Sequence, residues 1–340
     1  MPSWLPSVPY PPARDDGYWA PITSTLDWCE ENYYATPYSA EIVNTLTNTL
    51  FLYLGLRGLR NCRRHAHPRI FTLTFLGYLL VGAGSFAFHT TLKYPMQLVD
   101  ELSMIYTTCL MFWATFEFGT RQPVPALLGV GTAALAVGIT VWYHWCGDPT
   151  FHQNAYALLT ACVLGRSMWV MERNLRPYFR RKAQASSASS GAVTEAEKRE
   201  AARIDRRDEA IIVLMWKVIG VGLSVFLGGF AIWSLDNIYC STLRRWRHAI
   251  GLPWGILLEG HGWWHLMTGL GAYFYIASAL PPSRQNSWLT LWATQVWGIW
   301  LRHCLNGRQD EYELQWPSLW TSIPQVVKRA SANGLAKRSS

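Results

Sequence analysis

The chain has 340 residues, of which half are hydrophobic, 19 are Trp and only 15% are charged, against about a quarter charged in ordinary soluble domains. A soluble domain of this size has too little interior for so much apolar surface, which argues against a cytosolic globular enzyme. The composition also excludes disordered and collagen-like chains. The net charge of +8 does not point to nucleic acid, because Lys and Arg cluster between apolar runs instead of interleaving with aromatics along a stripe.

Residues 1–39 are Pro-rich and mildly acidic, with no basic start followed by an apolar run. They read as a lumenal N-terminal segment and not as a cleavable signal, which leaves the first apolar helix to act as the signal. A spanning helix needs about 20 mostly apolar residues. Seven candidates follow, at 40–59, 70–89, 97–118, 124–143, 154–171, 210–233 and 261–280. They predict an all-α membrane protein, a seven-transmembrane-helix bundle over 40–280. The second, fourth and seventh contain no Lys, Arg, Asp or Glu. The first is the most polar, with Glu41, Asn44, Thr45, Thr47 and Asn48. Arg166 and Lys217 lie near the ends of the fifth and sixth, where they can snorkel.

The connection 172–209 is basic; within it, Ala183–Val193 reads as a flexible linker, and Glu195–Glu209 as a charged extension of the sixth helix. In the tail, 281–340, the run Trp288–Leu301 holds four Trp in 14 residues and reads as an interfacial helix. The stretch after Pro324 reads as disordered.

Sixteen Lys and Arg fall on one side of this arrangement (Arg57, Arg60, Arg63, Arg64, Arg69, Arg121 and ten in 172–209) against five on the other (Arg14, Lys93, Arg244, Arg245 and Arg247). The richer side is cytosolic, which predicts a lumenal N-terminus and a cytosolic C-terminus. The group at 244–247 is a local exception. The seven cysteines are scattered without a CxxC pair, and Cys29 and Cys240 can bridge if both face an oxidising lumen.

Three segments carry polar groups that a membrane protein does not need for folding. Ser85 and His89 stand at i, i+4 near the end of the second helix, and Asp100 opens the third after a turn containing Pro95. His261 and His265 stand at i, i+4 at the start of the seventh. Asp27, Glu30, Glu31, Asn32 and Glu41 precede and enter the first. The predicted topology brings all of them to the lumenal face. Three imidazoles on two helices suit a catalytic zinc, which keeps a position for water. His261-Gly262-Trp263-Trp264-His265 lacks the Glu of HExxH, so a general base must come from elsewhere, and Asp100 is the candidate. Ser85 can donate a hydrogen bond to a developing oxyanion. Taken singly, Asp100 is equally a charge favoured by the helix dipole, and Ser85 a packing residue in a small-residue run. The acidic segment has the ligand chemistry of a calcium site without the EF-hand spacing, and a solvated acidic loop is the alternative. The isolated His144, His152, His248 and His303 read as interfacial residues.

Asp27-Trp28-Cys29-Glu30-Glu31-Asn32-Tyr33 with Glu41 resembles the N-terminal signature of the alkaline ceramidase family. Ser85-Phe86-Ala87-Phe88-His89, Asp100-Glu101 and His261-Gly262-Trp263-Trp264-His265 match that family's remaining motifs in order, over roughly 18–280. The long basic loop resembles the fungal or yeast branch. The family is related to the adiponectin-receptor-like hydrolases and has seven helices with the orientation counted above. The resemblance implies zinc held by His89, His261 and His265, Asp100 activating water, and Ser85 stabilising the oxyanion. It also implies calcium held by the side chains of Asp27, Glu30, Asn32 and Glu41 and by the carbonyl of Trp28.

The expected activity is hydrolysis of the ceramide amide, with phyto- or dihydroceramide favoured, to a sphingoid base and a free fatty acid in sphingolipid metabolism. The expected location is the membrane of the endoplasmic reticulum, or the Golgi. The substrate is drawn from the bilayer, with no nucleic acid and no obligate protein partner. The rivals are a related hydrolase acting on another lipid and a receptor-like or transporter protein with structural zinc. A retinal-type photoreceptor is disfavoured because the seventh helix has no Lys.

Overall fold

The computed structural model describes residues 6–178, 194–276, 312–315 and 325–328. The predicted linker at 183–193, the Trp-rich run 288–301 and the end of the last span lie outside these residues.

The described chain is almost wholly helical. It runs through α1 (Ile42–Thr47), α2 (Thr49–Arg64), α3 (Arg69–Thr91), α4 (Tyr94–Phe116), α5 (Val124–Cys146), α6 (Pro149–Leu175), α7 (Glu195–Ile238), α8 (Cys240–Ile250), a 3-10 turn (Trp254–Leu258) and α9 (Gly260–Ile276). A short antiparallel pair, β1 (Tyr312–Gln315) and β2 (Gln325–Lys328), sets Tyr312 opposite Lys328. β2 falls in the stretch expected to be disordered, where consecutive Val326 and Val327 favour an extended backbone.

Among the described residues, α3, α5 and α7 are long and apolar enough to cross a membrane. α5 leaves Leu127, Val130, Val137 and Val141 exposed along its length, as expected of a helix in lipid. α7 confirms that 195–209 extends the sixth predicted helix without a break. Thr194 caps it in a reciprocal box with Glu197, and its 44 residues form one continuous element.

The first predicted span differs most: it is two helices divided at Asn48. The Asn48 side chain donates to the carbonyl of Asn44 at 2.9 Å, the local competition by which Asn interrupts a helix. α1 has no cap of its own. Its first amides, Val43 and Asn44, donate to the two carboxylate oxygens of Glu30 at 2.7 and 2.8 Å. α3 ends at Leu92, a buried non-glycine residue in the left-handed region with φ 46°. Its carbonyl accepts the amides of Thr23 and Ser24, so the N-terminal segment is laid across the α3–α4 turn.

One apolar core joins α2, α3, α6, α7 and α9 through Phe51, Phe75, Tyr78, Met171, Met215 and Tyr273. A smaller cluster of Tyr33, Ala40, Phe88 and Leu92 seats the N-terminal segment on the end of α3. Cys29 and Cys240 are disulfide-bonded across 5.4 Å between Cα atoms, which fastens that segment to α8.

Candidate metal centre

His89 leaves the last turn of α3; His261 and His265 leave the first two turns of α9 on one face. All three are buried, at 1%, 5% and 6% exposure. One ligand atom of each lies within 4.8 Å of the others, and the ring centroids are 4.6–5.1 Å apart. No other set of three His, Cys, Asp or Glu converges in this way among the described residues.

Two of the rings are held by side chains. His89 Nδ1 is 2.5 Å from Glu41 Oε2, so it donates to the carboxylate and leaves Nε2 for the centre. His265 Nδ1 lies 3.1 Å from Thr47 Oγ1 and 3.3 Å from Asn48 Nδ2. A carboxylate behind a ligating imidazole is the usual orienting partner. His261 Nδ1 is buried with no hydrogen-bond partner. Three buried imidazoles that converge on one point fit a bound metal ion, and an all-imidazole donor set suits zinc.

Ser85 stands one turn before His89 and is buried. Its side chain lies beside that of Asp100, which is partly exposed on α4. The small-residue run before Ser85 makes this contact: a Cβ on Gly84 would lie 3.1 Å from the Asp100 amide nitrogen, so α4 comes this close only against glycine.

The acidic residues also gather here, but each is already engaged. Glu30 caps α1 with both oxygens. Glu41 accepts the Trp28 amide at 3.3 Å and the Asn44 side chain at 3.0 Å besides His89. Asn32 donates to exposed Asp27 at 3.2 Å, while its buried Oδ1 has no partner. The Trp28 carbonyl accepts from Arg244 at 3.2 Å, and the Trp28 ring lies 4.4 Å from that of His261. Glu31 turns away to His248 at 2.5 Å. Burial, and next the Glu41 charge, pushes the Glu30 carboxyl up to about 8. Clustered carboxylates and an unpaired amide oxygen fit a calcium ion in chemistry.

Several residues here were not singled out by the sequence. Asn44, Thr47 and Asn48 are the reason the first span looked polar, and that polarity was their signal. His152 is buried, not interfacial, and its Nε2 donates to the Glu101 carbonyl at 2.8 Å. Tyr143 and Gln97 donate to the Glu101 carboxylate, and Gln97 pairs with Thr25. This buried network ties α4, α5 and α6 to the N-terminal segment. His303 lies outside the described residues. Two of the three exceptional arginines are consumed internally: Arg244 and Arg247 both donate to the Cys29 carbonyl, at 3.0 and 2.7 Å, while Arg245 is exposed.

Comparison with known proteins identifies the family. A ceramidase family profile matches residues 20–281. The chain is 34% identical to alkaline ceramidase 3 of Mus musculus over 271 residues, covering 79% of this chain and 88% of that protein. It is 34% identical to alkaline ceramidase YPC1 of Saccharomyces cerevisiae over 283 residues, covering 79% of each. Identity to an alkaline ceramidase of Arabidopsis thaliana is 24% over 258 residues. The matched range holds all three imidazoles, Ser85, Asp100 and the acidic segment, and the chain belongs to the alkaline ceramidase family of membrane enzymes.

Proposed function

We propose that the chain is a zinc-dependent, seven-span intramembrane amidase that hydrolyses ceramide, phyto- or dihydroceramide by preference, to a sphingoid base and a fatty acid. Its place is the endoplasmic reticulum membrane or the Golgi, with the N-terminus lumenal and the C-terminus cytosolic. The observation that carries the reading is the convergence of three buried imidazoles beside a Ser85–Asp100 pair.

Zinc at His89, His261 and His265 would acidify a bound water and polarise the amide carbonyl. Asp100 takes the proton from the attacking water and returns it to the leaving amine, as a general base and then an acid. Ser85, whose side chain lies beside Asp100, donates to the carbonyl oxygen as negative charge develops there. It is not a nucleophile in this reading, because the imidazole one turn away serves the metal centre and cannot also act as its base.

A cavity of about 140 Å³ lies between α4, α6, α7 and α9, with Met111, Tyr156, Val163, Leu223 and Phe226 among its lining residues. An almost wholly apolar cavity within a bundle suits an acyl chain entering from lipid. Calcium at Asp27, Trp28, Glu30, Asn32 and Glu41 would relieve the repulsion among these carboxylates. It would steady α1 and, through Glu41, the His89 ring.

The test is purification with metal analysis, then product detection on a panel of ceramides. About one zinc per chain and release of sphingoid base are expected. Full turnover after verified zinc removal would sink the metal assignment, and turnover restricted to another lipid would sink the substrate assignment.

A further inference from the structure

We propose that Asp236 is a positioning residue for the metal centre: held by Arg247, it anchors the first amides of α9 and thereby aims His261. This rests on the metal reading given above.

The argument starts from what orients each ring. His89 has Glu41 behind it and His265 has Thr47 and Asn48. The His261 ring has no such partner; its Nδ1 is buried and unbonded, and its face packs against Trp28. A ligating imidazole without a second hydrogen bond must take its direction from its backbone.

That backbone is the first turn of a helix, where amides lack intrahelical acceptors. Asp236, near the end of α7, supplies the acceptor. Its Oδ1 takes the Gly260 amide at 3.2 Å, and the His261 amide, next in the turn, faces the same carboxylate. A negative group at a helix N-terminus is further favoured by the dipole. Gly260 is what lets the carboxylate in: a Cβ there would lie 2.7 Å from Asp236 Cβ.

A carboxylate exposed by only 1% is costly unless paired. Arg247, with a wholly buried side chain, pairs with Asp236 Oδ1 at 3.4 Å and Glu259 Oε2 at 3.0 Å. It also donates to the carbonyls of Cys29 and Leu258 at 2.7 and 3.2 Å. One guanidinium thus grips Asp236, the two residues that lead into α9 and the acidic segment that carries Trp28. The metal-bearing turn is set from both sides, at its amides and at the ring face of His261.

The experiment measures zinc affinity by chelator competition on the purified full chain, with kcat, KM and the melting temperature of the zinc-stripped protein alongside. Asp236→Ala should bind zinc roughly 10–100-fold more weakly, the scale for loss of an outer-shell partner, with kcat falling and KM nearly constant. Asp236→Asn keeps an acceptor at the helix start but gives up the charge that faces Arg247 and the dipole, so it should lose clearly less zinc affinity than Asp236→Ala. Gly260→Ala, which crowds Asp236 away from the amide, should behave like Asp236→Ala. If Asp236→Ala does not fold, the contrast between Asp236→Asn and Gly260→Ala carries the test. Wild-type zinc affinity in folded Asp236→Ala or Gly260→Ala overturns the proposal, as does Asp236→Asn as weak as the alanine variant. Those results come with zinc bound by the wild type and lost from His265→Ala. A wild-type chain that binds no zinc overturns the metal reading itself, and this proposal with it.

Discussion

The three imidazoles and the acidic segment sit side by side, yet they are built differently. The imidazoles converge on one point. Groups of the acidic segment already hold structure: Glu30 closes the start of α1, Glu41 holds the His89 ring, and the Trp28 carbonyl accepts from Arg244. In the proposed reading, the first region is a ligand set placed by a scaffold, and the second is scaffold and ligand set at once, so damage to it should spread into its neighbour.

The largest effect that separates the two regions is expected from His265→Ala, which should lose both zinc and turnover while still inserting in membranes. Metal analysis and membrane extraction check it together. Next comes Asp100→Asn, which keeps shape and zinc but should lower turnover by about 10²–10⁴, the range for loss of a general base. Near-normal turnover would reassign Asp100 to a structural cap. Ser85→Ala should retain zinc and substrate binding and lose about 10²–10³ in rate, the scale of one oxyanion donor. A trapped acyl group on Ser85 would make it a nucleophile instead.

The smaller effects sharpen the contrast. Glu41→Gly should abolish the response to calcium and also weaken zinc binding by roughly 10–100-fold, since His89 loses the carboxylate behind it. Asp27→Asn removes the exposed carboxylate, which has no contact with an imidazole. It should reduce the calcium response and leave zinc content unchanged, as measured by activity over a calcium titration and by metal analysis. Equal loss of zinc in both variants would erase the distinction between the two regions.

The helices and the imidazoles were legible because their signals are local: uninterrupted apolar runs in one case, i, i+4 pairs in the other. Glu195–Glu209 was also read correctly as part of the following helix, since good helix formers continue without a breaker. The break at Asn48 was not legible, because it depends on which acceptor the side chain finds. The double duty of Glu30 and Glu41 was hidden for the same reason, as their partners Val43, Asn44 and His89 are fixed only by tertiary packing. Arg247 misled most. A count of basic residues treats every arginine as a loop charge, whereas this one is buried among carbonyls and carboxylates. His152 misled likewise: nothing near it in sequence announces the Glu101 carbonyl, 51 positions away.

The disulfide between Cys29 and Cys240 has a consequence for the order of synthesis. It closes a loop with a sequence separation of 211 residues, and α9 lies beyond that loop. Only one of the three imidazoles, His89, is inside it; the other two are made after the second cysteine. A nascent chain can therefore knit its early helices and covalently fasten its acidic segment while still holding a third of its metal centre. Any chain halted before residue 261 lacks two of the three converging imidazoles and the share of core and cavity wall that α9 supplies, so on the proposed mechanism activity begins only when that helix is in place.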